Sequence, residues 1–219
     1  MGAVKKGTDR PSRKEKAQAT RRRILASALA AFTERGYTDT TVESVARDAG
    51  VAVQTVYFTF RTKGDLLQAT YEHVVLGPDN LHPHQTDWWR AVEQADDVVT
   101  AVRALVEGTT ELLERAAPLV WAVLGDPTAR EAYDHNERLR RDGNEHLVGA
   151  LAAKHPLRAG LPSTTARDIL LVLTGPQLYS QLTRDLGWTP RAVADWMTAA
   201  VLRELFALDT APVGPRLGD

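Results

Sequence analysis

The sequence predicts an all-α fold, a short N-terminal three-helix unit followed by a larger helical body. Apolar residues recur at helical spacing, the helices are punctuated by caps, Gly and Pro, and no run alternates long enough to make a strand. The chain has 219 residues, of which 43% are hydrophobic and 25% charged, an ordinary globular composition that excludes wholesale disorder and fibrous repeats. The absence of cysteine removes disulfides, thiolate nucleophiles and Cys-based zinc sites, and fits a reducing compartment. Apolar runs such as Ile169–Leu173 are far too short to cross a bilayer. The start carries Lys5, Lys6, Arg10 and Arg13 without an apolar stretch, so no secretory signal is read and the cytoplasm is the expected location.

Residues 1–19 are polar and basic and read as a flexible arm. From Thr20 a helix carries Ile24, Ala28, Ala31 and Phe32 on one face, and Gly36 stops it. Thr40 and Thr41 offer an N-cap for a short helix with Val42, Val45, Ala46 and Ala49 inward. After the turn Ala49-Gly50-Val51, a second short helix runs through Val53, Val56, Tyr57 and Phe60. Lys63-Gly64-Asp65 opens a longer one with Leu66, Leu67, Thr70, Tyr71 and Val74. Residues 20–66 are therefore one expected domain and residues 67–208 a second, with a tail over 209–219.

In the second domain, Gly77–Thr86 reads as a loop. Asp96 is expected to cap a helix running to about Arg115, and Asp126-Pro127 to start one running to about Lys154. Ser163 starts the next, in which Pro176 predicts a kink after Gly175. Gly187-Trp188-Thr189-Pro190 precedes a last helix to about Leu208.

Net charge is −1, but this is a cancellation. Residues 1–63 hold 13 Lys/Arg against 6 Asp/Glu, and the remainder 14 against 22. A basic first quarter on an acidic body points to a polyanion partner. The two short helices joined by Ala-Gly-Val form a helix-turn-helix pattern suited to double-stranded DNA. Gln54 can pair bidentately with adenine, and Ala52 and Val53 can touch a thymine methyl. Thr55, Tyr57 and Thr59 offer hydroxyls to phosphate oxygens. Lys63, at a helix start, combines its charge with free N–H groups. Arg21, Arg22 and Arg23 can follow the backbone or enter the minor groove.

The stretch RRRILASALAAFTERGYTDTTVESVARDAGVAVQTVYFTFRTKGDLL resembles the DNA-binding domain of the TetR family of bacterial transcriptional regulators. The landmarks are Ile24-Leu25, Ala28, Phe32, Gly36-Tyr37, Thr40-Thr41, Val45-Ala46, Ala49-Gly50-Val51, Thr55, Tyr57, Phe60, Lys63 and Leu66-Leu67. The resemblance implies a homodimer on a palindromic operator, and repression relieved by a small-molecule effector bound in the second domain. By position it puts Thr41, Val53, Gln54, Thr55, Tyr57, Phe58, Thr59 and Lys63 against DNA. Thr59 stands where many members have histidine, so that contact is shorter and uncharged here.

In the body, Tyr71, Trp88, Trp89, Leu112, Trp121, Leu124 and Tyr133 are candidates to line an effector cavity, with simple core packing as the competing assignment. Arg103, His73 and His135 are candidates to orient a polar group on the effector. The last two helices carry apolar faces that one monomer can hardly bury. Leu171, Leu178, Tyr179, Leu182, Trp196, Met197, Val201 and Leu205 are therefore expected in a dimer interface. No zinc-protease pair, di-iron Glu-x-x-His, phosphate loop or nucleophile elbow is present, so neither enzyme chemistry nor a cofactor is read. A constitutive DNA-binding protein with a filled core remains the first alternative, and an all-α enzyme the second.

Overall fold

The computed structural model describes residues 12–77, 79–124 and 126–209, and the described residues are helices joined by turns, with no extended strand. Helix α1 (Arg13–Asp39) starts at Arg13 rather than Thr20, so residues 13–19 are helical and not a flexible arm. The reason is a capping box: Ser12 Oγ accepts from the Glu15 N–H while the Glu15 carboxylate accepts from the Ser12 N–H. The residues that follow are mostly good helix formers. Residues 1–11 lie outside the described residues, as do 210–219 of the expected tail.

Gly36 interrupts α1 with a φ of +80°, a left-handed turn in which a side chain is strained. The buried Thr40 hydroxyl lies 3.0 Å from the Ala31 carbonyl and 2.8 Å from that of Gly36, so the end of the helix is satisfied from inside. Thr41 caps α2 (Val42–Asp48) by accepting from the Ser44 N–H. Gly50, at φ +64°, then reverses the chain into α3 (Val53–Thr59). A second capping box, Thr62 with Asp65, opens α4 (Lys63–Leu76).

A single 3-10 turn, Pro83–Gln85, lies in the loop before α5 (Asp87–Gln94), a short helix that the sequence reading missed. Helix α6 (Val98–Val123) is capped by Asp97, not Asp96, and passes Pro118 rather than ending near Arg115. Pro118 is on the exposed side, and the buried stripe of Ala116, Leu119, Val120 and Val123 holds the helix together across the missing N–H. Asp126 accepts from Thr128 N–H at a 3-10 turn, Pro127–Ala129, that leads into α7 (Arg130–Ala152).

Helix α8 (Ser163–Leu173) ends in a full break rather than a kink: Gly175 is extended and Pro176 is the first residue of α9 (Pro176–Ser180). A wide π turn, Gln181–Asp185, follows. Helix α10 (Pro190–Phe206) is capped by Thr189 and ends where Ala207 turns left-handed at φ +56°.

Packing makes two cores. The first gathers Ile24, Phe32, Val45 and Val56 with Leu66 and Val74 of α4 and Leu119, Val120 and Val123 of α6. The second gathers the rest of α6 with α5, α7, α8 and α10. A boundary at 66/67 thus falls inside α4, whose apolar face continues the first core. No helix among the described residues is long and apolar enough to cross a membrane.

Candidate nucleic-acid interface and ligand cavity

Helix α3 is anchored by one inward residue, Val56, and by Phe60 just beyond its end, both buried. That leaves Ala52, Gln54, Tyr57 and Phe58 projecting outward, Phe58 at 93% exposure. Among the outward residues the structure brings together those expected to touch bases and sugar-phosphate. Tyr57 is 44% exposed, its hydroxyl 3.4 Å from Glu43 Oε1 on α2, a long and readily exchanged contact. Four expectations are modified. Val53 packs partly into the head core, and Thr55 is half-buried. The Thr59 hydroxyl donates at 2.8 Å to the Thr55 carbonyl of its own helix, which turns it away from an outside acceptor. Thr41 is exposed, with its side-chain oxygen occupied in capping α2.

Lys63 is the first residue of α4, but its ammonium is not free. Nζ donates to the Thr38 carbonyl at 3.1 Å and sits 4.2 Å above the Tyr37 ring. Burial holds it below the ordinary lysine range, opposed by the charges of Asp126 and Asp39. Thr38 in turn donates through Oγ1 to Asp126 Oδ2 at 2.5 Å. Hydrogen bonds from Thr128 and Thr38 keep the Asp126 carboxyl below the usual carboxylate range, with Lys63 adding to them. Sequence reasoning missed Thr38 and Asp126, because nothing local marks a partnership between a helix end and a turn so far along the chain. Arg21 lies 4.6 Å over the Phe60 ring, and Arg22 and Arg23 are exposed beside it on α1.

Between α4, α5, α6 and α7 lies a cavity of about 700 Å³. It takes in Tyr71, Trp88, Trp89, Leu112 and Tyr133, all expected there. Trp121 and Leu124 are not in its wall: both stand on the exposed side of α6's end, and Trp121 stacks under the Arg184 guanidinium at 3.9 Å. Arg103, His73 and His135 do not line it either; beside two threonines, Thr109 and Thr174, the polar lining is Glu93, Asn136, Glu137, Arg140, Asn144 and three histidines, His82, His84 and His146. One unexpected residue shapes the wall. The Trp88 indole lies so close to α6 at Gly108 that a Cβ there would come within 2.1 Å of it, so only glycine permits the packing.

The expected dimer face is partly covered within the monomer. Met197, Val201 and Leu205 are wholly buried in their own monomer's core, and Tyr179 and Leu182 nearly so. Burial, with Glu114 nearby, pushes the Tyr179 phenol up to about 12. Helical spacing marks these residues as apolar-facing without saying what covers them, and α6 does. Leu171, Leu178 and Trp196 are half-buried, and Val172 and Leu186 are exposed.

With this geometry in place, comparison with known proteins is direct. Residues 24–70 match the model of the bacterial regulatory proteins, tetR family. The HTH-type transcriptional regulator TtgR of Pseudomonas putida is 38% identical over 85 residues, 39% of this chain and 37% of that protein. The chain thus aligns with little more than a third of this curated relative's length. Two solved structures share the fold over most of both chains. NalD, the secondary repressor of the MexAB-OprM efflux pump in Pseudomonas aeruginosa, superposes with TM-score 0.66 at 22% identity, covering 88% of this chain and 98% of its own. SmeT of Stenotrophomonas maltophilia, in complex with triclosan, gives TM-score 0.66 at 20% identity, covering 92% of this chain and 100% of its own. The N-terminal helix-turn-helix segment, residues 24–70, is thus similar to that of the tetR family of bacterial regulatory proteins.

Proposed function

We propose that the chain is a transcriptional repressor that binds a palindromic operator as a homodimer and leaves it when a small molecule occupies the cavity. One observation carries the reading: α3 is held from below by Val56 and Phe60 while Gln54, Tyr57 and Phe58 project outward, the disposition a major-groove reader needs. Phe58 offers apolar surface to a thymine methyl and Gln54 a bidentate edge to adenine. Tyr57, Lys63 and Arg21–Arg23 supply positioning contacts to phosphate. The half-buried Leu171, Leu178 and Trp196, with exposed Val172 and Leu186, offer apolar surface for a two-fold partner.

Release follows from two links between cavity and reader. Helix α4 carries Tyr71 in the cavity wall and Lys63 at its head end. Asp126, just before α7, holds Thr38 and through it Lys63, while α7 carries Tyr133 in the wall. An effector that shifts α7 or α4 therefore moves the phosphate-binding lysine and the spacing of the paired α3 helices. A neighbour crystallised with triclosan fits this use of the cavity. A constitutive DNA-binding protein has no need of so large a cavity.

Fluorescence anisotropy on DNA flanking the chain's own gene, with scrambled competitor and a salt series, tests the reading. Tight, competitor-resistant binding should disappear with Tyr57→Ala or Lys63→Ala. A dimer neutralising roughly six to eight phosphates gives a log–log salt slope of about −5 to −7. Sequence-blind binding, a slope near zero, or a monomer at micromolar concentration in sedimentation would sink it.

A further inference from the structure

The cavity wall carries charge, and its charged side chains are matched within the wall. Glu93 accepts from the Trp89 indole N–H at 3.1 Å and meets His146 Nε2 at 3.0 Å. Glu137 is held by the Arg140 guanidinium at 2.7 and 3.1 Å, and Arg140 also donates to the Leu171 carbonyl at 2.7 Å. The other two imidazoles, His82 and His84, are exposed and stack on each other with centroids 5.6 Å apart. An ion entering this chamber would either lie against apolar wall or compete with partners that these groups already have, and neither favours its binding.

Tyr71 is the exception to this matching. It lines the cavity, is only 2% exposed, and its hydroxyl has no hydrogen-bond partner. Burial raises its pKa far above the ordinary phenol range, with Tyr133 and Glu137 adding to the effect, so it stays a protonated donor. Its neighbour Tyr133 already accepts from Gln177 Nε2 at 2.8 Å. A buried donor without an acceptor is uncommon and destabilising in a native fold, and a ligand that supplies the acceptor gains a bond that the free protein lacks. The hydroxyl lies just behind the cavity surface, so a ligand can bond it only where its packing neighbours give way.

Resting on the effector reading above, we propose that the cavity selects an uncharged, largely apolar molecule presenting one hydrogen-bond acceptor, such as a carbonyl oxygen, to the Tyr71 hydroxyl. The volume suits a drug-sized ligand, and the tilted indoles of Trp88 and Trp89, 5.4 Å apart, favour one with a ring system.

The test uses the full chain and four aromatic probes, followed by quenching of tryptophan fluorescence and by probe emission. They are 6-propionyl-2-(dimethylamino)naphthalene, a neutral ketone; 2-isopropylnaphthalene, a neutral hydrocarbon; 8-anilinonaphthalene-1-sulfonate, an anion; and ethidium, a cation. The ketone should bind about tenfold more tightly than either ion, and its emission should carry the red shift of a hydrogen-bonded carbonyl. Tyr71→Phe should weaken the ketone about five- to tenfold, the worth of one net hydrogen bond, and shift its emission to the blue. The same variant should leave the hydrocarbon's affinity unchanged and the ligand-free melting temperature at least as high as the parent's. Equal or tighter binding of an ion, or an equal effect of Tyr71→Phe on ketone and hydrocarbon, overturns the proposal while the effector reading stands. If no probe binds, the cavity reading falls as well. The emission position in the parent protein decides the carbonyl contact even should the variant fold poorly: an aprotic-like maximum overturns it.

Discussion

The centre of the head core and the chamber where the two cores meet share α6 and differ in how completely they are filled. Around the helix-turn-helix, Ile24, Phe32, Val45, Val56 and Leu66 are all at 0% exposure, and the interior is closed. Further along the same helix, where the two cores meet, large aromatics stand around an open chamber, with Leu112 only half-buried at its edge. A core whose task is to fix one helix in one orientation gains from every contact it closes. A core that must admit another molecule leaves some of its apolar surface uncovered, and its folding stability is lower for it.

The largest expected effect separates the two. Phe32→Ala should cost about 3–5 kcal/mol, because the closed core cannot collapse onto the space, whereas Leu112→Ala should cost under about 1 kcal/mol, since it enlarges a chamber that exists. Chemical denaturation of both variants measures the gap, and equal losses would show that the chamber is packed like the head.

A smaller effect tests the chamber wall. Gly108→Ala should destabilise by about 1–3 kcal/mol through overpacking against Trp88, and the displaced indole should shift the emission maximum of the protein. An unchanged melting curve and spectrum would mean that Trp88 does not rest on α6.

The smallest effect sits on the link between the two regions. Asp126→Ala removes a cap and the anchor of Thr38, and should cost about 1 kcal/mol. Because the carboxyl lies below its usual range in the folded chain, its contribution is complete above about pH 4 and fades as pH falls through the lowered value. Thermal melts of parent and variant should therefore converge in acid. The same substitution should loosen Lys63 and alter DNA affinity more than stability.

The head was legible because each landmark performs a local task that the residue type announces. Gly36 and Gly50 take positive φ, Thr41 caps, and Ile24, Ala28 and Phe32 keep one helical face. The body was legible only as helices. Spacing placed Trp88, Trp121 and Leu124 alike on candidate faces, but which side of α6 meets the chamber depends on how α5 and α7 pack, and that is a long-range outcome. For the same reason Met197 and Leu205 looked like an uncovered face until α6 was seen to cover them. Pro118 suggested an end because the missing N–H is visible in sequence, while the buried stripe that outweighs it is visible only in the fold.

The capping box at Ser12 changes the thermodynamics expected of DNA association. A disordered basic arm would have to be fixed residue by residue on the duplex, and would add the heat-capacity change of folding coupled to binding. Here the run from Arg13 to Arg23 is already helical, with its charges carried on a rod rising about 1.5 Å per residue. Arg21–Arg23 then reach the backbone preorganised, and over the run from Arg13 to Arg23 calorimetry should register counterion release without a contribution from folding.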